Sequence, residues 1–390
     1  MKEENRRYAE EAFEIVEHAA KKIGSRLPGS DGEKEYAAYM GDKLRSIGIE
    51  PVREEFAVSP RASIGGIPYA GYLGLIMSAL VYVALHLSAV WYGMALASVV
   101  CWVWLILSVF LYKTWFDMFF KQEISQNTYG ELLPPDGKYD YTIILSGHTD
   151  TSWCWRHSAH ASKFKKTKPA MGLVATFAKV GFGVICFLFL TAVSIAMTVI
   201  SSGVYFGEVW ALKIANSASF ANFLFAMHFL PVVTAIGCMF VVMWADPNPR
   251  NASRGAMDNA TGCALSFAVT KYFHDHPEKM PKNCRIIDFN CGSEEAGLRG
   301  SIAFTREHKG EPILENTWNI NIDSVADKDF FEVVIKDDWQ FCRFDTDLEK
   351  MFKDTFNELG IVSKTNGCIH NPVGGCDSTP MTKAGMKSVT

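Results

Sequence analysis

Over long stretches this sequence lacks charge. From Ala62 to Tyr112 it contains no Asp, Glu, Lys or Arg, and the same is true from Val180 to Gly207 and from Ile214 to Ala245. A membrane-crossing helix needs about 20 apolar residues. The first run suits two spans with a turn near Ser88–Gly93, and the other two suit a second pair. Buried core helices are the competing reading, but four uncharged stretches of spanning length are unusual in a soluble domain. Pro231 falls inside the last stretch, where a membrane span tolerates it better than a water-exposed helix does. A basic surplus is also missing: the net charge is -4, which argues against a nucleic-acid partner. The ten cysteines form no CxxC pair and no regular framework. The charged N-terminus, Met1 to Arg7, is no secretory leader, so the thiols read as mostly reduced. There is no low-complexity tail, and no internal repeat beyond the two hydrophobic pairs.

What is present outside those runs is an α/β pattern. Ala9, Ala12, Phe13, Val16, Ala19, Ala20 and Ile23 recur at helical spacing over residues 5–24. A turn at 26–30 precedes a second helix over 31–48, with Gly48 at its end. Pro51–Val58, Tyr139–Ser146, Arg285–Asn290 and Thr317–Ile322 read as strands, and helices follow near Cys263, Ser301 and Asp345. Strands alternating with helices imply a mostly parallel mixed sheet with helices on both faces. In such folds the chemistry gathers at the carboxyl ends of the strands. The segments divide as 1–60, 138–156 and 250–390 for the soluble domain, with hydrophobic hairpins at 62–120 and 171–245.

Strand ends are where the candidate residues fall. Asn290-Cys291-Gly292-Ser293-Glu294-Glu295 puts two carboxylates where a strand gives way to a glycine-rich turn, and neighbouring side chains there diverge. Taken alone, a Glu pair is usually a solvated loop, and an Asp-Asn before a helix is usually a cap. His148, Asp258 at the head of a helix, one of the two Glu residues and Asp323 together make a metal set. Imidazole and carboxylate ligands suit zinc, with manganese or cobalt as substitutes. Two ions about 3.5–4 Å apart could share a bridging carboxylate and a water. The other Glu then takes the proton from that water, and Asp150 holds the His148 ring from behind.

These pieces resemble the M28 family of zinc metallopeptidases, aminopeptidase-like enzymes. The matching motifs are HTD at 148–150, GAMDNATG at 255–262, SEEAGLRGS at 293–301, NID at 321–323 and GGCDSTPMTKAG at 374–385. IGSRLPGS at 23–30 and KLRSIGIE at 43–50 fit the family's opening. The resemblance implies that His148 and Asp323 hold one zinc, that Asp258 bridges two, and that Glu295 holds the other. Glu294 becomes the general base that later protonates the leaving amine. A cis peptide between Asp258 and Asn259 is implied as well. The family's fifth ligand, a His some 25 residues beyond the GCDS loop, has no counterpart before Thr390, so the full protein is expected to continue. His370 does not match that position; it reads as structural, with pocket-lining and substitute-ligand roles as alternatives. The hydrophobic hairpins are insertions that a typical member lacks.

The implied activity is removal of N-terminal residues from peptides by a membrane-anchored dinuclear enzyme. Its alternatives are a non-catalytic receptor or scaffold on a peptidase fold, and glutaminyl-cyclase-like aminoacyl cyclisation. The first would normally show decayed ligands. The second resembles a one-metal site, which His148 together with Asp323 argues against. The partners expected are a peptide substrate and a lipid bilayer. Arg61, Lys113, Lys121, Arg156, Lys163, Lys165, Lys166, Lys168 and Lys179 flank the spans on the soluble side. The turn near 88–93 carries no Lys or Arg, and the 201–219 turn carries only Lys213. That bias places a multi-pass protein in the cell membrane with its peptidase domain in the cytoplasm. The basic loop, which also contains His157 and His160, is read as contacting anionic lipid, with both histidines on the surface.

Overall fold

A computed structural model describes residues 3–154, 169–245, 253–327, 331–361, 368–371 and 374–390. The basic residues 156, 163, 165, 166 and 168, and both His157 and His160, lie outside the described residues. The chain divides into two compact units. One comprises Met1–Ile64, Ser108–Trp153 and Asn248–Thr390; the other comprises Gly65–Leu107 and Cys154–Pro247.

The first unit is built on a six-stranded sheet. Its strands are β1 (Val52–Val58), β2 (Glu123–Leu132), β3 (Tyr141–His148), β4 (Cys284–Cys291) and β5 (Thr317–Asn321). A smaller sheet contains β6 (Val333–Asp337), β7 (Cys342–Arg343) and β8 (Cys368–Asn371), and β9 (Lys387–Val389) returns to the main one. The main order is β1-β2-β4-β3-β5-β9, and the small sheet runs β7-β6-β8. β4, β3, β5 and β9 pair in parallel, whereas β1–β2 and β2–β4 are antiparallel. The sheet is thus mixed, with its antiparallel pairs at one edge. β2 is a strand that hydrophobic periodicity does not reveal, and the short strands of the small sheet were not expected either. The middle of β2, Ser125-Gln126-Asn127-Thr128, is buried yet polar, and such residues sit inside only when hydrogen-bonded. Asn127 illustrates this: it accepts from Gly292 N at 3.1 Å and donates to Gly300 O at 3.0 Å.

Helices cover both faces. Glu3–His18, Asp31–Ser46 and Thr261–Asp275 bury Ile15, Tyr36, Met40, Leu44 and Phe267 together on one side. On the other side Phe289 of β4 packs with Phe304, Met381 and Met386. Ser30 starts the Asp31 helix by accepting from Glu33 N. Thr346–Glu358 buries a narrower face than its pattern suggests: Leu348 is enclosed, while Met351 and Leu359 face solvent. Cys101, Cys154, Cys186, Cys238, Cys263, Cys284, Cys291, Cys342 and Cys376 are free thiols.

β4 is buried along its whole length, and it contains Asp288. Burial pushes that carboxyl up to about 8, against a hydrogen bond from Asn290 Nδ2 that works downward. The folded state therefore keeps a proton that the unfolded state gives up near pH 4. Stability should fall as pH rises from about 4 to about 8, then level off. Asp288→Asn should remove that slope, so that the variant's advantage grows across this window to at most a few kcal/mol. Denaturation curves at several pH values check this; parallel profiles for variant and parent would contradict it.

The second unit is helical. Ile67–Ala84, Ala89–Trp104, Pro169–Tyr205 and Leu230–Val242 are its main helices. Small residues let them approach closely: a Cβ at Gly74 would overlap Cys238, and one at Gly71 would overlap the backbone of Val242. Ser78 Oγ lies 2.8 Å from Thr234 Oγ1, and Trp102 Nε1 donates to Thr191 Oγ1 at 3.0 Å. Outward-facing Ile76, Leu96, Val100, Ile185 and Ile236 are exposed. Among the described residues three helices are long and apolar enough to cross a membrane: Ile64–Ala84, Ala89–Phe110 and Ala178–Tyr205. The expected fourth span is not one straight helix. Ala218–Ala226 and Leu230–Val242 meet at 49°. Pro231 sits in the first turn of the second piece, where its missing N–H costs no helical bond. The first turn also lies earlier than expected, since the helix resumes at Ala89.

Candidate metal centre

His148 ends β3 opposite Cys291, the last residue of β4, and Ser146 pairs with Asn321 at the end of β5. His148, Glu294 and Asp323 therefore emerge beyond the carboxyl ends of three adjacent parallel strands. Asp258 arrives from the other direction, at the head of the Thr261–Asp275 helix. Its bond to Asn259 is cis. Asn259 takes the capping role, accepting from Gly262 N at 2.9 Å and donating to Ile322 O at 2.9 Å. Asp258 is thereby left for other work.

His148, Asp258 and Asp323 each offer a ligand atom, all within 4.8 Å of one another. His148 Nε2 lies 3.1 Å from Asp258 Oδ1, 3.9 Å from Asp323 Oδ1 and 4.0 Å from Glu294 Oε2. Behind the ring, Nδ1 is 3.2 Å from Asp150 Oδ1, close enough for an ionic contact but not aligned as a hydrogen bond. Asp150 has a second task. Its two oxygens accept from Glu294 N and Glu295 N, each at 2.9 Å. One buried carboxylate thus steadies both the imidazole and the turn that presents the Glu pair. Glu295 stands outside the close triad, and the strongest charge acting on it is that of Asp258.

The electrostatics describe a site short of positive charge. Burial lifts Glu294 and Glu295 well above the carboxylate range; His148 works against this in both, while Glu295 and Asp377 add to it for Glu294. Burial likewise lifts Asp323 to about 6. Burial works to raise Asp258 too, but the bond to His148 prevails and holds it low. Burial would lower the His148 ring, yet Glu294, Asp150 and Asp258 together raise it well above its usual value. Several half-buried carboxylates around one imidazole fit a divalent cation, because its charge offsets what burial and mutual repulsion cost.

Two residues to which the motif reading gave no role hold this arrangement. The Arg26 guanidinium is buried and donates to Thr149 O at 2.7 Å, Arg254 O at 2.8 Å, Gly255 O at 2.9 Å and Gly24 O at 3.1 Å. It joins the His148 loop to the Asp258 loop, and it stacks on Tyr36. Glu33 accepts from Ser293 N at 2.6 Å, Ser293 Oγ at 3.0 Å, Gly29 N at 2.6 Å and Ser125 Oγ at 3.0 Å. Ser293, with φ 54, is thereby fixed in the left-handed region just before the Glu pair. Asp377 accepts from Ser301 Oγ and Cys291 Sγ, tying the GCDS loop to the end of β4. A buried Arg within a turn motif, and a Glu three residues after a helix cap, are weak signals from sequence alone.

His370 is exposed, with Nδ1 3.6 Å from Asp338. It lines a cavity of about 530 Å³ beside Asp323, with Met257, Val334, Ile369 and Cys376. It is therefore a wall residue and takes no place in the close triad.

Residues 239–390 match the model of Peptidase family M28, the stretch that contains four of the five motifs read from the sequence. Comparison with curated proteins returns no match. Among solved structures, a zinc aminopeptidase from Bacillus subtilis is 13% identical, with TM-score 0.49, covering 98% of this chain and 84% of that one. A leucine aminopeptidase precursor from Bacteroides thetaiotaomicron is 12% identical, with TM-score 0.46, covering 98% and 83%. A glutaminyl cyclase from the same organism, bound to N-acetylhistamine, is 12% identical, with TM-score 0.47, covering 98% and 82%.

Proposed function

We propose that this chain is a membrane-anchored zinc metallopeptidase of the M28 type, acting as an aminopeptidase. The observation that carries the reading is the convergence of His148, Asp258 and Asp323 at the strand ends, with Glu294 4.0 Å from the same imidazole nitrogen. His148 and Asp323 would hold one zinc, Asp258 would be shared, and Glu295 would hold a second, with manganese or cobalt as substitutes. A zinc ion held by these residues would supply polarisation of the substrate carbonyl and activation of a water near neutral pH. Glu294 accepts the proton from the attacking water and returns it to the leaving amine. Its enclosure suits that shuttle, since burial favours the protonated form it must pass through. Asp150 keeps the imidazole and the Glu turn in register. Asp323 borders the cavity that contains His370, and that cavity offers room for a peptide's terminal side chain.

The uncharged helices are assigned to a lipid bilayer, with the peptidase unit on the cytoplasmic face. The basic flanks Arg61, Lys113, Lys121 and Lys179 support that side.

Metal analysis of purified full-length protein, run beside hydrolysis of aminoacyl amides, tests this function. Two zinc ions per chain and release of free N-terminal residues are expected. Chelation should abolish turnover, and added zinc should restore it. One ion with cyclisation of N-terminal glutamine would favour aminoacyl transfer instead. A metal-free, inert protein would favour a scaffold.

A further inference from the structure

The last residue of the first uncharged run supplies an aromatic side chain to the Glu turn. Tyr112 has φ 52, a backbone conformation that a bulky residue takes only when its surroundings impose it. Here they do. Arg299, which begins the helix after the Glu turn, donates from Nη1 to Tyr112 O at 3.1 Å and pairs through Nη2 with Asp117 at 3.2 Å. Gln340 Nε2 donates to Phe110 O at 2.5 Å, and Ser63 Oγ donates to Ser108 O at 3.2 Å. The chain is pinned on both sides of the tyrosine.

The ring enters a slot between two glycine-bearing loops. A Cβ at Gly297, which closes the Glu294–Ala296 turn, would come within 3.0 Å of Tyr112 Cδ1. A Cβ at Gly375, on the GCDS loop, would come within 2.9 Å of Cε2, and one at Gly374 within 3.5 Å of the hydroxyl. The residue is 7% exposed. Its hydroxyl has no hydrogen-bond partner among the described residues and is not sealed from solvent. Burial, and after it the charge of Glu294, push the phenol well above its usual range. It remains a neutral donor beside an acidic site.

We propose that Tyr112 is a catalytic residue whose hydroxyl donates a hydrogen bond to the oxygen of the scissile carbonyl as that oxygen gains negative charge. This rests on the peptidase reading above. Among the described residues the Tyr112 hydroxyl is an O–H donor that spends nothing on the resting protein, whereas Ser293 and Ser301 are engaged by Glu33 and Asp377. The phenol keeps its proton throughout. Water adds to the carbonyl carbon, the C–N bond breaks, and Glu294 moves the proton from water to the amine.

The test is Tyr112→Phe in the full-length protein, with leucine p-nitroanilide as substrate and leucine phosphonic acid as a tetrahedral mimic. Loss of one such donor lowers kcat by about 10²–10³-fold. The expected result is that loss in kcat, a nearly unchanged KM, a comparable loss of affinity for the phosphonate, and unchanged affinity for leucine and unchanged Tm. Parental kcat and phosphonate affinity would overturn the proposal and leave Tyr112 as packing. A shifted acidic limb of the pH profile without loss of kcat would also overturn it, because the hydroxyl would then be acting on Glu294. A parent that hydrolyses no aminoacyl amide would overturn the peptidase reading itself, and this proposal with it.

Discussion

Glu294→Gln is expected to leave the protein folded and able to bind zinc, while lowering kcat by about 10²–10⁴-fold. Gln keeps the shape of the side chain and the backbone N–H that Asp150 accepts, so the turn stays intact. It cannot take up a proton, so the step from water to amine loses its carrier. Stability should hold or rise. Burial lifts the Glu294 carboxyl well above its ordinary range, so the folded state binds the proton more tightly than the unfolded one. That preference works against folding as pH rises through the acid range toward the folded value. A neutral amide does not carry this burden. Three measurements check the expectation: kcat on an aminoacyl amide, zinc per chain, and Tm at neutral pH. Turnover near the parent's, with zinc bound, would refute the role of Glu294. Loss of zinc would make it a ligand instead.

The positions of the candidate residues were legible. His148, Asp258, Glu294 and Asp323 stand at the ends of strands or heads of helices, and those boundaries follow from short apolar runs broken by Gly, Asn or Asp. The parallel core β4-β3-β5 followed from the same pattern. β2 did not, because its buried middle is polar and is satisfied by partners distant in sequence. No periodicity marks such a strand. The broken fourth hydrophobic helix was hidden for a different reason. Lack of charge measures a segment's preference for lipid, but says little about where its backbone bends. Pro231 carried that information, and the sequence permitted it either inside a span or at the start of a new helix. Arg26 and Glu33 gave only weak signals because their partners are distant or backbone groups: the Arg26 donors meet carbonyls, and Glu33 takes two amides and the hydroxyls of Ser125 and Ser293. No residue type announces such a contact.

Arg26→Met should be the most damaging single change away from the ligands. Met keeps an unbranched chain in the buried slot and removes every donor, together with the guanidinium that lies over the Tyr36 ring. Four carbonyls then lose this donor: those of Thr149, Arg254 and Gly24 are left without a hydrogen bond among the described residues, while Gly255 O keeps the one from Ala260 N. Each orphaned acceptor costs about 1–3 kcal/mol where water cannot replace the donor. Even with some water entry, a loss of about 4 kcal/mol is expected, a large share of a typical 5–15 kcal/mol total. In a unit of this size that corresponds to roughly 8–16 °C in Tm. The lost charge matters as well. Arg26 is a nearby cation acting on Asp150 and Asp258, so its removal leaves those carboxylates more strongly opposed. Zinc affinity should fall along with stability, since the loops bearing His148 and Asp258 are no longer joined. Arg26→Lys should rescue little. One ammonium carries three donors from a single point and cannot span carbonyls that a planar guanidinium reaches on separate edges. Thermal unfolding and zinc titration of both variants decide the matter. A Lys variant with parental Tm and zinc affinity would show that charge near the site, and not the bridging of the two loops, is what Arg26 provides.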